Sequence, residues 1–167
     1  MKLKHSRLVE VLDYDPESGV FRWLISTSNR VKVGAVAGRD NGNGYIRICI
    51  DGKNYYAHRL AWFYSHGVWP EKEIDHRNGN GMKNWLSNLR PATHAQNGQN
   101  QPLRSTNTSG FTGVSWSKLH EKWESYIWVN CKKVHLGLFR KIENAKKAYL
   151  AAKQGLHKFQ PVPRDML

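Results

Sequence analysis

At 167 residues the chain is long enough for one ordinary domain or two small ones. Seven Trp, seven Tyr and five Phe supply the apolar bulk of a core, which excludes wholesale disorder. A formal net charge of +13, from 26 Lys and Arg against 13 Asp and Glu, implies an anionic partner, with a nucleic-acid backbone first in line.

The opening stretch MKLKHSRLVEVLDYD has no apolar core of signal-peptide length, and no run is long enough to cross a bilayer. The expectation is a soluble, cytoplasmic protein. An anionic membrane is the rival partner, but no long basic amphipathic helix is evident. Residues 5–13 place Leu8, Val9, Val11 and Leu12 on one helical face, Tyr14 to Gly19 reads as a turn, and Val20 to Leu24 as a strand. Asn41-Gly42-Asn43-Gly44 leads into an alternating strand from Tyr45 to Ile50, and Asp51-Gly52 signals a hairpin into Lys53–Ala57. His58 to Gly67 reads as a buried helix with Gly67 at its C-cap; Trp62, Phe63 and Trp69 should be core, with Tyr64 at its edge. Cys49 and Cys131 form no CxxC, which excludes a zinc ribbon and leaves them as packing residues in a reducing compartment.

The run IDHRNGNGMKNWLSNLRPATHAQN concentrates the chemistry. Asp75 and His76 should sit where a short strand ends, because adjacent strand residues otherwise point to opposite faces. Asn88-Leu89-Arg90 returns as a second strand, which Pro91 should stop from pairing further. Thr93 and Gln96 form a capping-box pattern that starts a helix near His94 and puts Asn97 in its first turn. His94 itself is read as a solvated first-turn residue. Asp75 carboxylate and Asn97 amide oxygens suit magnesium or manganese, one ion per site, with waters and phosphate filling the remaining positions. Neutral His76 suits a general base near pH 7. Asn88 can fix the loop through side-chain bonds to the backbone. Arg77, Lys83 and Arg90 flank this run as candidate phosphate contacts.

Gly98 to Ser109 is polar and aperiodic and reads as a linker. Beyond it the charge density rises: residues 101–167 hold 12 basic and 4 acidic side chains, a surplus of 8, against 14 and 9, a surplus of 5, in residues 1–100. Three short strands, about 111–117, 123–130 and 133–139, precede a helix striped by Ile142, Ala145, Ala148, Tyr149 and Ala152. Alternation turns Trp123, Ile127, Val129, Val134 and Leu136 toward that helix. It turns Ser115, Ser117, Tyr126, Trp128, Lys133 and His135 outward, with Lys118, Lys122 and Lys132 nearby, as a surface for phosphates and bases.

Two resemblances follow from these residues. His58-Arg59-Leu60, Asp75-His76, Asn88-Leu89-Arg90 and Thr93 through Asn97 resemble the HNH endonucleases of the His-Me finger (ββα-metal) group, closest to phage and intron-borne homing enzymes; residues 5–57 look like the segment that commonly precedes the motif. The resemblance implies His76 as general base, Asp75 and Asn97 as metal ligands and Asn88 as the loop-fixing residue. Asn97 stands where many members have His, and a homing subgroup uses Asn there. Residues 109–153 resemble the Apetala (ethylene-response-factor) DNA-binding domain through Gly113-Val114, Lys122-Trp123, His135-Leu136-Gly137 with Phe139, and Ala145 through Tyr149 with Ala151-Ala152. Where the plant domains carry arginines on this face, the chain offers Ser115, Ser117 and Trp128, with Glu124 nearby.

The resulting expectation is an α+β chain. An N-terminal helix and β-hairpins lead into a ββα-metal nuclease core over 1–97, followed by a linker at 98–109 and a separate βββα module at 110–160. Its function would be metal-dependent, nicking, homing-type hydrolysis of phosphodiester bonds in double-stranded DNA by a monomer or weak dimer, with site preference aided by the C-terminal module, no membrane partner and no small-molecule cofactor. A non-catalytic DNA-binding regulator retaining the nuclease shell, and an RNA-binding module suggested by the aromatic sheet, are the competing readings.

Overall fold

Short amphipathic elements, each burying one side, build the first part of the chain. In the computed structural model, which describes residues 2–100, 103 and 106–159, two compact units are distinguished, 1–93 and 94–167. Residues 101, 102, 104 and 105 of the expected linker, and residue 160 of the expected module, lie outside the described residues.

In the first unit, α1 (His5–Val11) buries Leu8 and Val11. The helix stops two residues before the expected end. Leu12 and Tyr14 are buried while Asp13 and Asp15 are exposed, so β1 (Leu12–Asp15) follows period two and pairs antiparallel with β2 (Val20–Trp23), Leu12 opposite Trp23. Asp15 closes the intervening turn, accepting Glu17 N at 2.9 Å and Ser18 Oγ at 2.6 Å. A three-stranded sheet in the order β3-β4-β5 (Arg39–Asp40, Ile46–Ile50, Lys53–Tyr56) buries Ile48 and Ile50. The two-residue β3 carried no sequence signal. Cys49 faces solvent from β4, which corrects its reading as a packing residue: it falls on the outer phase of the alternation that buries Ile48 and Ile50.

Helix α2 (Ala57–His66) buries Ala57, His58, Leu60, Ala61 and Phe63 and ends at Gly67 in the left-handed region (φ 71°). These side chains, with Leu8, Leu12, Tyr14, Phe21 and Trp23, form the core, and Trp62, Tyr64 and Trp69 pack half-buried against it. Strands β6 (Glu73–His76) and β7 (Leu89–Ala92) pair antiparallel, Asp75 opposite Arg90 and His76 opposite Leu89. Asn88 belongs to a short 3-10 turn, Leu86–Asn88, that feeds β7. Pro91 does not end the pairing as expected; it lies opposite Ile74, and Ala92 continues the ladder opposite Glu73. In a two-stranded sheet every strand is an edge, so a missing N–H can face outward without breaking a bond.

The second unit begins with α3 (His94–Gln99) and continues through an antiparallel sheet in the order β10-β9-β8 (Lys132–Phe139, Lys122–Val129, Val114–Ser117) to α4 (Ile142–Leu156). Val114, Ile127, Ala145 and Tyr149 are buried. Gly113 (φ 71°) is fixed by crowding: a Cβ there would overlap the Tyr149 ring and the Tyr126 carbonyl. The turn between β9 and β10 places Asn130 and Cys131 at φ 49° and 63°, so Cys131 is an exposed hairpin residue and not a packing one. A register shift between His135 and Gly137 interrupts the ladder at Leu136, and Val134 is 38% exposed. Strict alternation therefore overstates the inward role of these two residues, because a bulge resets the phase of a strand.

Candidate active site and nucleic-acid interface

Asp75, His76, Asn84 and Asn88 are all buried in the first unit, each between 2 and 4% exposed. Buried polar groups are costly unless bonded, so their partners define what the site can do. Arg90, the register partner of Asp75, places Nε at 2.9 Å and Nη2 at 2.8 Å from Asp75 Oδ2. Both contacts fall on one carboxylate oxygen. The ion pair keeps a charge tolerable at this depth.

His76 Nε2 lies 3.0 Å from Asn84 Oδ1. Asn84 Nδ2 donates to Met82 O at 3.3 Å, which turns the amide so that its oxygen faces the imidazole. The bond then requires the proton on His76 Nε2, making Nδ1 the basic nitrogen of the neutral ring. The His58 ring stands edge-on to His76 at 5.1 Å between centroids, and Tyr45 lies 5.9 Å away. Burial, reinforced by the neighbouring His76, which competes for a proton, and by the Arg59 charge, pushes His58 down to about 3, so it is a neutral wall.

Asn88 holds the loop that follows β6. Its Oδ1 accepts Asn78 N at 3.0 Å, and its Nδ2 donates to Asn78 Oδ1 at 3.0 Å and to Lys83 O at 2.7 Å. Asn78 Oδ1 in turn accepts Asn80 N, and Asn80 Oδ1 accepts Met82 N. Gly79 N donates to His76 O and Arg77 N to Asn88 O, each at 2.8 Å. Residues 78–81 of the loop and residues 43–45 line one cleft, and a Cβ at Gly81 would press on the Tyr45 ring at 2.6 Å. Arg77 and Lys83 are exposed, and Lys83 Nζ lies 6.0 Å over the Trp85 ring.

Asn97 is carried by α3, in the second unit, where its carbonyl accepts Asn100 N at 3.0 Å. The C-terminal end of this helix is held within that unit: Lys153 Nζ donates to Gln99 O at 3.0 Å and Phe159 N to Gln99 Oε1 at 3.3 Å. Among the described residues no three His, Cys, Asp or Glu side chains cluster as a metal centre. The donor set that the sequence points to is one carboxylate and one amide, chemistry that suits a hard, largely hydrated cation.

On the second unit's sheet, pairing parity puts Ser115, Ser117, Lys122, Glu124, Tyr126, Trp128, Lys133 and His135 on one face. Trp128 is 57% exposed. Lys133 Nζ lies 3.0 Å from Glu124 Oε1 and 4.2 Å from the Tyr126 ring centre, and His135 Nδ1 lies 3.3 Å from the same carboxylate oxygen. The Lys133 bond first, then its charge and His135, holds Glu124 below the usual carboxylate range. Lys118 is an exposed residue of the β8–β9 turn.

Asn84, His58 and Tyr45 were not assigned site roles from sequence. Asn84 lies in a loop where every Asn reads as a turn former, so residue type offered nothing to single it out. His58 had a signal, its place in the His58-Arg59-Leu60 triplet, but no role attached to it.

Residues 55–99 match the family described as HNH endonuclease. The chain is also similar to Protein 3.8 of Escherichia phage T7, 38% identical over 71 residues, which is 42% of this chain and 59% of the phage protein. The chain thus matches just under three-fifths of the length of that relative. No solved structure matches.

Proposed function

We propose that the protein is a divalent-metal-dependent endonuclease acting on double-stranded DNA, of the homing type carried by phages, with a second unit that increases residence on DNA. The observation carrying this reading is the buried Asp75-His76 pair on β6, with the imidazole bonded to Asn84 and the following loop pinned by Asn88, inside the segment that matches the HNH endonuclease family.

The resemblance implies Asp75 and Asn97 as the ligands of the ion, magnesium or manganese, which when bound supplies charge stabilisation at the phosphate and the leaving oxygen. His76 Nδ1 takes the proton of the attacking water, while Nε2 stays bonded to Asn84 Oδ1. Arg90 holds the Asp75 carboxylate in place through Oδ2, and Asn88 keeps the loop from Asn78 to Lys83 in one conformation. Exposed Arg77 and Lys83 contact phosphates. The face bearing Ser115, Ser117, Lys122, Tyr126, Trp128, Lys133 and His135, with Lys118 beside it, lies against the duplex. The Apetala-like resemblance and the charge surplus beyond residue 100 support this placement. One His76 per chain cuts one strand, so a monomer nicks.

A supercoiled-plasmid assay tests the reading. Nicking should appear with magnesium, vanish with EDTA, and fall by about 10²–10⁴ in His76→Ala, the usual contribution of a general base. No magnesium-dependent nicking on any plasmid, including one carrying the natural locus, would sink it; equal cutting by His76→Ala would remove the base assignment.

A further inference from the structure

We infer that the β1–β2 hairpin is a positioning element for the general base, acting through Tyr14 and Asn84. The inference concerns the role of the hairpin, which lies outside the family-matched segment, and its catalytic part rests on the endonuclease reading.

Three contacts join the hairpin to one short stretch. The Tyr14 hydroxyl donates to Asn84 O at 2.7 Å in a buried bond, and Leu86 N donates to Pro16 O at 2.9 Å. Gly19 (φ 75°) lies so close that a Cβ would overlap the backbone of Asn84 and Trp85. Asn84 is thereby held by its main chain from the hairpin while its side chain holds His76 Nε2. Tyr14 is rigid in turn, stacked on Phe21 at 4.6 Å and set edge-on to Tyr64 at 5.6 Å. Burial raises the Tyr14 phenol above its ordinary range, so it remains a donor at any working pH.

The physical consequence is selection of one tautomer. Neutral imidazole has two forms, and an acceptor fixed at Nε2 favours the one whose Nδ1 can take a proton. A displaced Asn84 lets the ring rotate or change form, which lowers the population of competent base and leaves DNA contacts untouched. Small misplacements of this kind cost catalysis out of proportion to stability.

The test uses the full chain and two readouts. Long-range ¹H–¹⁵N correlation on the imidazoles should show His76 as the Nε2–H form in wild type. Tyr14→Phe, which keeps the ring packing, and Asn84→Ala should both give mixed forms, and Asn84→Asp, which retains an acceptor oxygen, should restore the single form. In plasmid nicking, Tyr14→Phe should lose roughly tenfold and Asn84→Ala roughly a hundredfold in kcat, with KM within about twofold. An unchanged His76 tautomer in both Tyr14→Phe and Asn84→Ala overturns the inference, whether or not the protein cuts DNA. A loss appearing wholly in KM overturns it as well. Absence of nicking in wild type would instead strike the endonuclease reading, and the spectra would still decide the role of the hairpin.

Discussion

His58 carries a consequence separate from catalysis. Its imidazole is buried, its Nδ1 has no hydrogen-bond partner among the described residues, and it is held neutral down to about 3, whereas in the unfolded chain it titrates near 6.5. Between those values the unfolded chain binds a proton that the folded chain refuses, so stability is lost as pH falls from about 6.5 toward about 3. A single such group gives a slope of up to about 1.4 kcal/mol per pH unit. Urea unfolding at a series of pH values should show this loss, and His58→Phe should flatten it above about pH 4, where most carboxylates have yet to titrate. An identical slope in the variant would mean that other groups dominate the acid limb. The sequence marks His58 only as part of a triplet. Burial is a property of the assembled core, and so is its depressed titration.

Among the elements, the clearest demands are steric. Gly113 sits where both its positive φ and the Tyr149 ring exclude a side chain. Gly113→Ala should therefore destabilise the second unit by roughly 2–3 kcal/mol through strain and overpacking. Hydrogen exchange should show β9 losing protection while α2 keeps its own; undiminished β9 protection would contradict the steric argument. The legibility of these elements follows the same physics. Strands and helices with clean periodicity, such as β4 with buried Ile48 and Ile50 or α4 with Ala145 and Tyr149, could be read directly. The end of α1 could not, because Leu12 satisfies helix and strand periods alike until Trp23 arrives opposite it. The two-residue β3 has too few side chains to make a pattern. In the site, Asp75, His76 and Asn88 stand out by type and spacing. Asn84 became visible only through its bond to His76, which depends on a loop conformation no residue count encodes.

For the whole molecule, the boundary between the two units falls at 93/94, so the segment matching the endonuclease family extends six residues into the second unit. The positive surplus is concentrated beyond residue 100, and its effect on DNA affinity should depend on which lysines are already engaged. Lys133 is paired with Glu124, whereas among the described residues no ion pair holds Lys122. Lys122→Ala should lower the slope of log affinity against log salt by about 1, and Lys133→Ala by clearly less. Equal changes would mean that Glu124 releases Lys133 when DNA binds. The exposure of Cys49 and Cys131 gives this question a handle of another sort: each unit bears one accessible thiol, on β4 and on the β9–β10 turn. Two dyes attached there, without any engineered residue, turn the native chain into a ruler for the separation of its units, read in solution and again on DNA.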